Sequence, residues 1–356
     1  MPPRSGRQPT LESLLPPILS LLPNAYSAHQ KALTTTARLV HSNQHALAIE
    51  ILFNVAKELL KIGEGSSGVE LGVRMVTIMG EGGVRVDDKS RASITQLLAL
   101  TPAAGPWRKK LADTSIKWSQ AHGDCPTGDP GLHQYIGEMY YKDHAFVLAE
   151  QHLLASGKRD AALTLAEMMF EWSEKGKLDP GPYAVRGTLP FLAQSPPSIQ
   201  PALTFLSTFL SKLSSPSSPS HKIFITALPS QTSFSVSEIH LTTSPTLNFL
   251  QLALITVQRA PAPGVSGVAA RGMDGGIARE WDALVRRYSR SSGAGGVLGQ
   301  GEVQEVLMQI STGVFKIPPP RGAGGNDLLQ NLMGSLFGGG GGGAGGAGGR
   351  GAIGAR

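Results

Sequence analysis

Loop signals recur along this chain so often that only short, repeated elements fit between them. They read GEGSSG at 63–68, TPAAGP at 101–106, GDCPTGDPG at 123–131, QSPPSIQP at 194–201 and SSPSSPS at 214–220, with Gly/Pro stretches at 260–276 and 291–301. The segments between are about 12 to 18 residues long, and their apolar residues step by three and four, the period of a helix. Ala46, Ile49, Leu52, Phe53, Ala56 and Leu60 form one stripe; Leu132, Ile136, Met139 and Tyr140 a second; Phe146, Ala149, Leu153 and Leu154 a third; Ala162, Leu165, Ala166, Met169 and Phe170 a fourth. A helix this short is marginal alone, so each must stack on neighbours. Short loops turn successive helices antiparallel, and a row of such pairs is an α-solenoid. No strict tetratricopeptide repeat or signature is present, so the array is irregular. The expected fold is therefore all-α, an irregular tetratricopeptide-like solenoid.

One region breaks the helical period. Ile223–Leu228 (IFITAL) and Phe234–Leu241 (FSVSEIHL) are short runs of β-branched and aromatic residues bounded by Pro and Ser, and they predict a β-hairpin at about 223–241. The apolar phase flips between Val236 and Ile239, which a bulge accommodates. A hairpin inside a row of helices implies a surface that holds a partner. The expected organisation is a Pro-rich N-terminal segment over 1–23, a helical solenoid over 24–213, a C-terminal helical part with the hairpin over 221–317, a short amphipathic element over 318–337, and a Gly-rich tail over 338–356. That tail cannot bury enough apolar area to offset its ordering entropy and is expected to be disordered.

The hydrophobic fraction of 41% supports a sizeable core, and the 44 Gly and 25 Pro sit mainly in linkers and tail. A single cysteine, Cys125, excludes an intramolecular disulfide framework and fits a reducing compartment. No apolar run approaches the ~18 to 20 residues of a membrane span. The opening MPPRSGRQPT and the following LESLLPPILSLL lack a small-residue cleavage site, so no secretory signal is expected and the expected location is the cytosol. Residues 1–120 hold 14 Lys and Arg against nine Asp and Glu, while the remainder holds 18 against 17. A basic N-terminal third attracts anionic partners. Its charges are scattered and lack interleaved aromatics, which argues against nucleic acid.

Catalytic signatures are missing. GEGSSGVE lacks the lysine and hydroxyl of a phosphate-binding loop, and no GxSxG, HExxH or CxxC occurs. His41 and His45 have one-turn spacing on a predicted helix, with no third ligand in reach. Asp87-Asp88 reads as an N-terminal helix cap. Neither cofactor nor metal is expected, nor is an enzyme.

Several segments, taken in order, resemble the Golgi-to-ER traffic protein 4 family. They are Tyr26-Ser27-Ala28-His29-Gln30, Arg38, Ala48-Ile49-Glu50, Gly65-Ser66-Ser67-Gly68 followed by Glu70, and Val84-Arg85-Val86-Asp87-Asp88. Trp118-Ser119, Asp129-Pro130, Leu132-His133, Leu247-Asn248-Phe249-Leu250-Gln251-Leu252, Ile317-Pro318-Pro319 and Leu329–Phe337 continue the order. The resemblance implies a helical adaptor in the delivery of tail-anchored membrane proteins to the endoplasmic reticulum. Its N-terminal helices would hold the targeting ATPase, with Tyr26, His29, Arg38 and Glu70 in that contact. Its C-terminal half would grip a ubiquitin-like-domain protein that links to a small glutamine-rich tetratricopeptide co-chaperone, in an obligate hetero-complex. The hairpin reading places Ile223, Ile225, Phe234, Val236, Ile239, Leu241, Leu247 and Phe249 in the second contact. One departure stands out: Thr10–Asn24 has no lysine, where the family's first helix usually has several, and contains Pro16, Pro17 and Pro23. The alternative expectation is a helical scaffold subunit of another multiprotein complex.

Overall fold

In the computed structural model, residues 9–229, 238–260, 268–291 and 296–318 are described. The predicted site residues Phe234 and Val236, the Leu329–Phe337 element and the Gly-rich tail lie outside them. The chain runs α1 (Leu11–Leu14), α2 (Pro16–Leu19), α3 (Ala25–His41), α4 (His45–Lys61), α5 (Gly65–Glu81), α6 (Asp88–Leu100), α7 (Trp107–His122), α8 (Pro130–Lys142) and α9 (Phe146–Ser156). It continues through α10 (Arg159–Gly176), α11 (Pro180–Leu192), α12 (Ile199–Ser214), β1 (Phe224–Pro229), β2 (Glu238–Thr242), α13 (Pro245–Gln258), α14 (Val268–Ser291) and α15 (Gly301–Gly313). Helices pack on their first and second neighbours along the chain, α7 chiefly on α5 and α12 chiefly on α10, and one apolar core runs unbroken from Ile18 to Phe315. This is the irregular solenoid with an inserted hairpin that the periodicity predicts.

The turns explain themselves chemically. Asn43, Gly63, Gly83, His144 and Gly157 take positive φ at or just after helix ends, the left-handed conformation that stops a helix and reverses the chain. Asn43 thereby separates His41 on α3 from His45 on α4, so the two histidines do not share a helix face. Asp87 caps α6: its carboxylate accepts from Ser90 N at 2.7 Å, and that bond holds its pKa below the usual carboxylate range.

Three expectations shift in register. The GEGSSG signal is a loop only as far as Glu64; Gly65-Ser66-Ser67-Gly68 forms the first turn of α5. Gly68 is there for close approach, because a Cβ would lie 2.6 Å from Leu60 Cγ of α4. The core stripe of α4 is Ala48, Ile51, Leu52, Val55, Ala56, Leu59 and Leu60; it keeps Leu52, Ala56 and Leu60 of the predicted stripe, but Ile49 and Phe53 are only half-buried and Ala46 is exposed. The Gly/Pro stretch at 260–276 gives way to α14 at Val268.

The tightest crossing is between α11 and α12. A Cβ on Gly187 would fall 1.9 Å from Phe205 Cζ, and Phe205 is fully buried and stacked on Phe209. Gly187→Ala is expected to overpack this crossing and cost about 1–3 kcal/mol, read as a lower melting temperature. An unchanged melt would mean that the two helices can slide apart freely.

Candidate partner-binding surfaces

Two surfaces stand out, one on the first long helix and one beside the hairpin. α3 begins where Asn24 accepts a hydrogen bond from Ser27 N at 3.1 Å, and it buries Ala28, His29, Ala32, Thr36 and Leu39. Its other face carries Tyr26, 71% exposed, and the exposed Lys31 and Arg38. Lys31 and Arg38 are seven residues apart, two helical turns along one face. Among the described residues neither has a carboxylate partner. His29 is buried, with Nε2 3.3 Å from Glu70 Oε2 on α5. That contact lacks hydrogen-bond geometry and leaves the buried Nε2 without a hydrogen bond. So Tyr26, Arg38 and Glu70 offer surface, whereas His29 sits beneath it at the α3–α5 seam.

The prolines ahead of α3 do break the helix. Pro16 and Pro17 lack N–H groups, and the segment splits into the two four-residue helices α1 and α2. Both still pack on the core through Leu11, Leu14, Leu15 and the buried Ile18.

At the hairpin, β1 and β2 pair antiparallel, with Thr226 opposite Leu241, Ala227 opposite His240 and Leu228 opposite Ile239. The register slips between Phe224 and Thr226, which makes Ile225 the extra residue of a bulge. The bulge expected between Val236 and Ile239 reaches into residues outside the described ones. The strand base is closed by Thr243 N donating to Ile223 O at 2.8 Å.

Two side chains on α13 hold the other edge of β2. Gln251 Oε1 accepts from His240 N and Gln251 Nε2 donates to His240 O, both at 2.8 Å. Asn248 repeats the arrangement on Thr242, with Oδ1 accepting from N at 3.0 Å and Nδ2 donating to O at 2.8 Å. Backbone groups at alternate residues of a strand point the same way, so His240 and Thr242 turn to α13 while Ile239 and Leu241 turn to β1. The two amides act as a substitute strand, satisfying an edge that would otherwise be open. The signal for this was in Asn248-Phe249-Leu250-Gln251: two amides one turn apart, on a helix directly after a strand.

Between α12, β2 and α13 runs a half-open groove of about 580 Å³. Leu203, Leu206 and Leu210 of α12 line one side, Ile239 and His240 another, and Gln251 and Leu254 the third; Lys212 stands among the polar residues of the α12 wall. Leu241 is 39% exposed. Ile223 is half-buried against the core, while Leu247 and Phe249 are fully buried. The sequence places those last two in the partner contact. Both lie inside the core instead, Phe249 packed against Trp281 and Tyr288. The α12 leucines were not anticipated, since the sequence gives no pairing between a helix and a strand that follows it.

Among the described residues no group of three or more His, Cys, Asp or Glu is placed to hold a metal ion, and no helix is long and apolar enough to cross a membrane. The family model described as Golgi to ER traffic protein 4 matches residues 42–337. The chain belongs to that family. Golgi to ER traffic protein 4 of Aspergillus fumigatus is 29% identical over 336 residues, covering 88% of this chain and 86% of that protein. The Homo sapiens homolog is 23% identical over 315 residues, covering 88% and 82%. The crystal structure of C. therm. Get4 superposes with a TM-score of 0.70 at 28% identity, covering 93% of this chain and 96% of that one.

Proposed function

We propose that this chain is a cytosolic adaptor in the post-translational delivery of tail-anchored membrane proteins to the endoplasmic reticulum. It holds a targeting ATPase on its N-terminal helices and a ubiquitin-like-domain protein beside the hairpin, and through the latter links to a glutamine-rich tetratricopeptide co-chaperone. The observation that carries this reading is the presence of two unlike surfaces on separate parts of one helical stack. α3, which packs on α4 and α5, presents an exposed tyrosine with unpaired cations; α12, which packs on α10, α11 and α13, helps wall a groove of mixed leucine and polar lining. The basic excess of residues 1–120 suits an acidic ATPase face. The groove suits a partner element that buries apolar area.

The first contact is tested at Arg38 and Tyr26. Arg38→Glu should slow association with the ATPase, and the effect should shrink as salt is raised, because exposed charges act chiefly on the encounter rate. Tyr26→Ala should instead raise the dissociation rate, since an exposed aromatic anchor contributes buried area. Surface plasmon resonance at two salt concentrations reads both. Association that is flat with salt and indifferent to Arg38→Glu would remove α3 from the contact.

A further inference from the structure

The side of α14 opposite the core carries an arginine stripe. Trp281 is fully buried, and Leu284, Val285 and Tyr288 pack on the core beside it. At about 100° per residue, Arg279, Arg286 and Arg290 fall together on the far side of the helix and Arg287 on its flank. All four are exposed. The first three span about 16 Å of helix with the small Ala283 between them. Arg286 reaches Asp282, but Arg279, Arg287 and Arg290 have no carboxylate partner among the described residues. Elsewhere in the solenoid Arg74, Arg91, Arg108 and Arg186 each sit against a carboxylate.

We propose that this stripe is a docking face for an acidic segment of a partner polypeptide, separate from the two surfaces described above. A planar guanidinium matches a carboxylate through paired N–H donors, and arginines in a line read a narrow acidic chain. The flanks decide against broader anions. Glu280 and Asp282 stand on either side of the stripe, 56% and 43% exposed, and would face a flat anionic membrane. The stripe carries no exposed aromatic residue on which a nucleic-acid base could stack.

The test uses the full chain and poly-L-glutamate as probe, followed by fluorescence anisotropy at low and moderate salt. Arg279→Gln, Arg286→Gln and Arg290→Gln combined should weaken binding roughly tenfold, three exposed ion pairs being lost. The three corresponding Arg→Lys changes should lose part of that, because charge is kept and the fork is not. Lys31→Gln with Arg38→Gln should lose less than the α14 glutamine variant. All variants should melt with the wild type, because the stripe faces away from the core. Equal binding by wild type and the glutamine variant overturns the proposal. So does tighter, stripe-dependent binding to phosphatidylserine vesicles or polyuridylate RNA, which would assign the face to phosphate.

Discussion

Removing residues 224–242 should abolish binding of the ubiquitin-like partner, a loss of more than about a hundredfold, and leave ATPase binding unchanged. The excision is structurally mild, because Ile223 and Thr243 already meet through a hydrogen bond of 2.8 Å at the strand base. It removes Ile239 and His240 from the wall of the groove and leaves the α12 leucines with one side open. A gentler variant separates the hairpin's presence from its placement. Asn248→Ala with Gln251→Ala keeps every strand residue but strips four backbone hydrogen bonds from β2, and the one from Thr242 Oγ1 with them. The freed backbone groups should exchange faster with deuterium, and partner affinity should fall without loss of the solenoid's melt. Salt should matter less here than at the α3 contact, because the groove's lining carries a single Lys, Arg, Asp or Glu, Lys212, and it is paired with Glu167. Retention of full affinity by the excised chain would place the grip elsewhere on the helices.

The second large effect is on stability in mild acid. His133 on α8 and His152 on α9 lie with their Nδ1 atoms 3.0 Å apart, and His133 Nε2 is 3.0 Å from Thr127 O. A carbonyl only accepts, so His133 carries its proton on Nε2, and its Nδ1 must accept from the Nδ1–H of His152. Protonating His133 Nδ1 would set two N–H groups against each other. Burial pushes His152 down to about 3, with charge on His133 and Lys109 adding to it, and burial lowers His133 as well. Tyr140 packs against His152, and burial holds its phenol up at about 12, so it stays neutral.

Both histidines titrate lower folded than unfolded, so the unfolded chain takes up more protons below about pH 6.5. The stabilisation is complete above that pH and fades as the pH falls towards 3. At pH 5 the loss from His152 alone is about 2 kcal/mol relative to neutral pH. Chemical denaturation at several pH values should show this slope, and His152→Asn should flatten it. Parallel curves for the variant and wild type would mean that the pair is protonated in the folded state without cost.

What the sequence displayed was period and punctuation. The stripes of α8 and α10 were legible because Leu132, Ile136, Met139 and Tyr140, and likewise Ala162, Leu165, Ala166 and Met169, are buried on the helices they predict. α4 was partly misphased because it is apolar over more than one face, so several stripes fit and only the packing of α3 and α5 selects among them. The Gly65–Gly68 segment reads as a loop, since local propensity disfavours glycine in helices, and the close crossing on Leu60 overrides it. Leu247 and Phe249 were visible as apolar residues of α13, but which side met the hairpin was fixed by Asn248 and Gln251. Polar residues carried that information. Tyr26 and Arg38 owe their exposure to the buried face of α3, which is tertiary and not local.

This chain is expected to hold two different partners at once, on surfaces that do not overlap. Sedimentation velocity on the chain mixed with the targeting ATPase and the ubiquitin-like protein tests it most directly. A single species containing all three, with each partner's affinity unchanged by the other, is the predicted result. Mutual exclusion of the two partners, or failure of either to sediment with the chain, would contradict it.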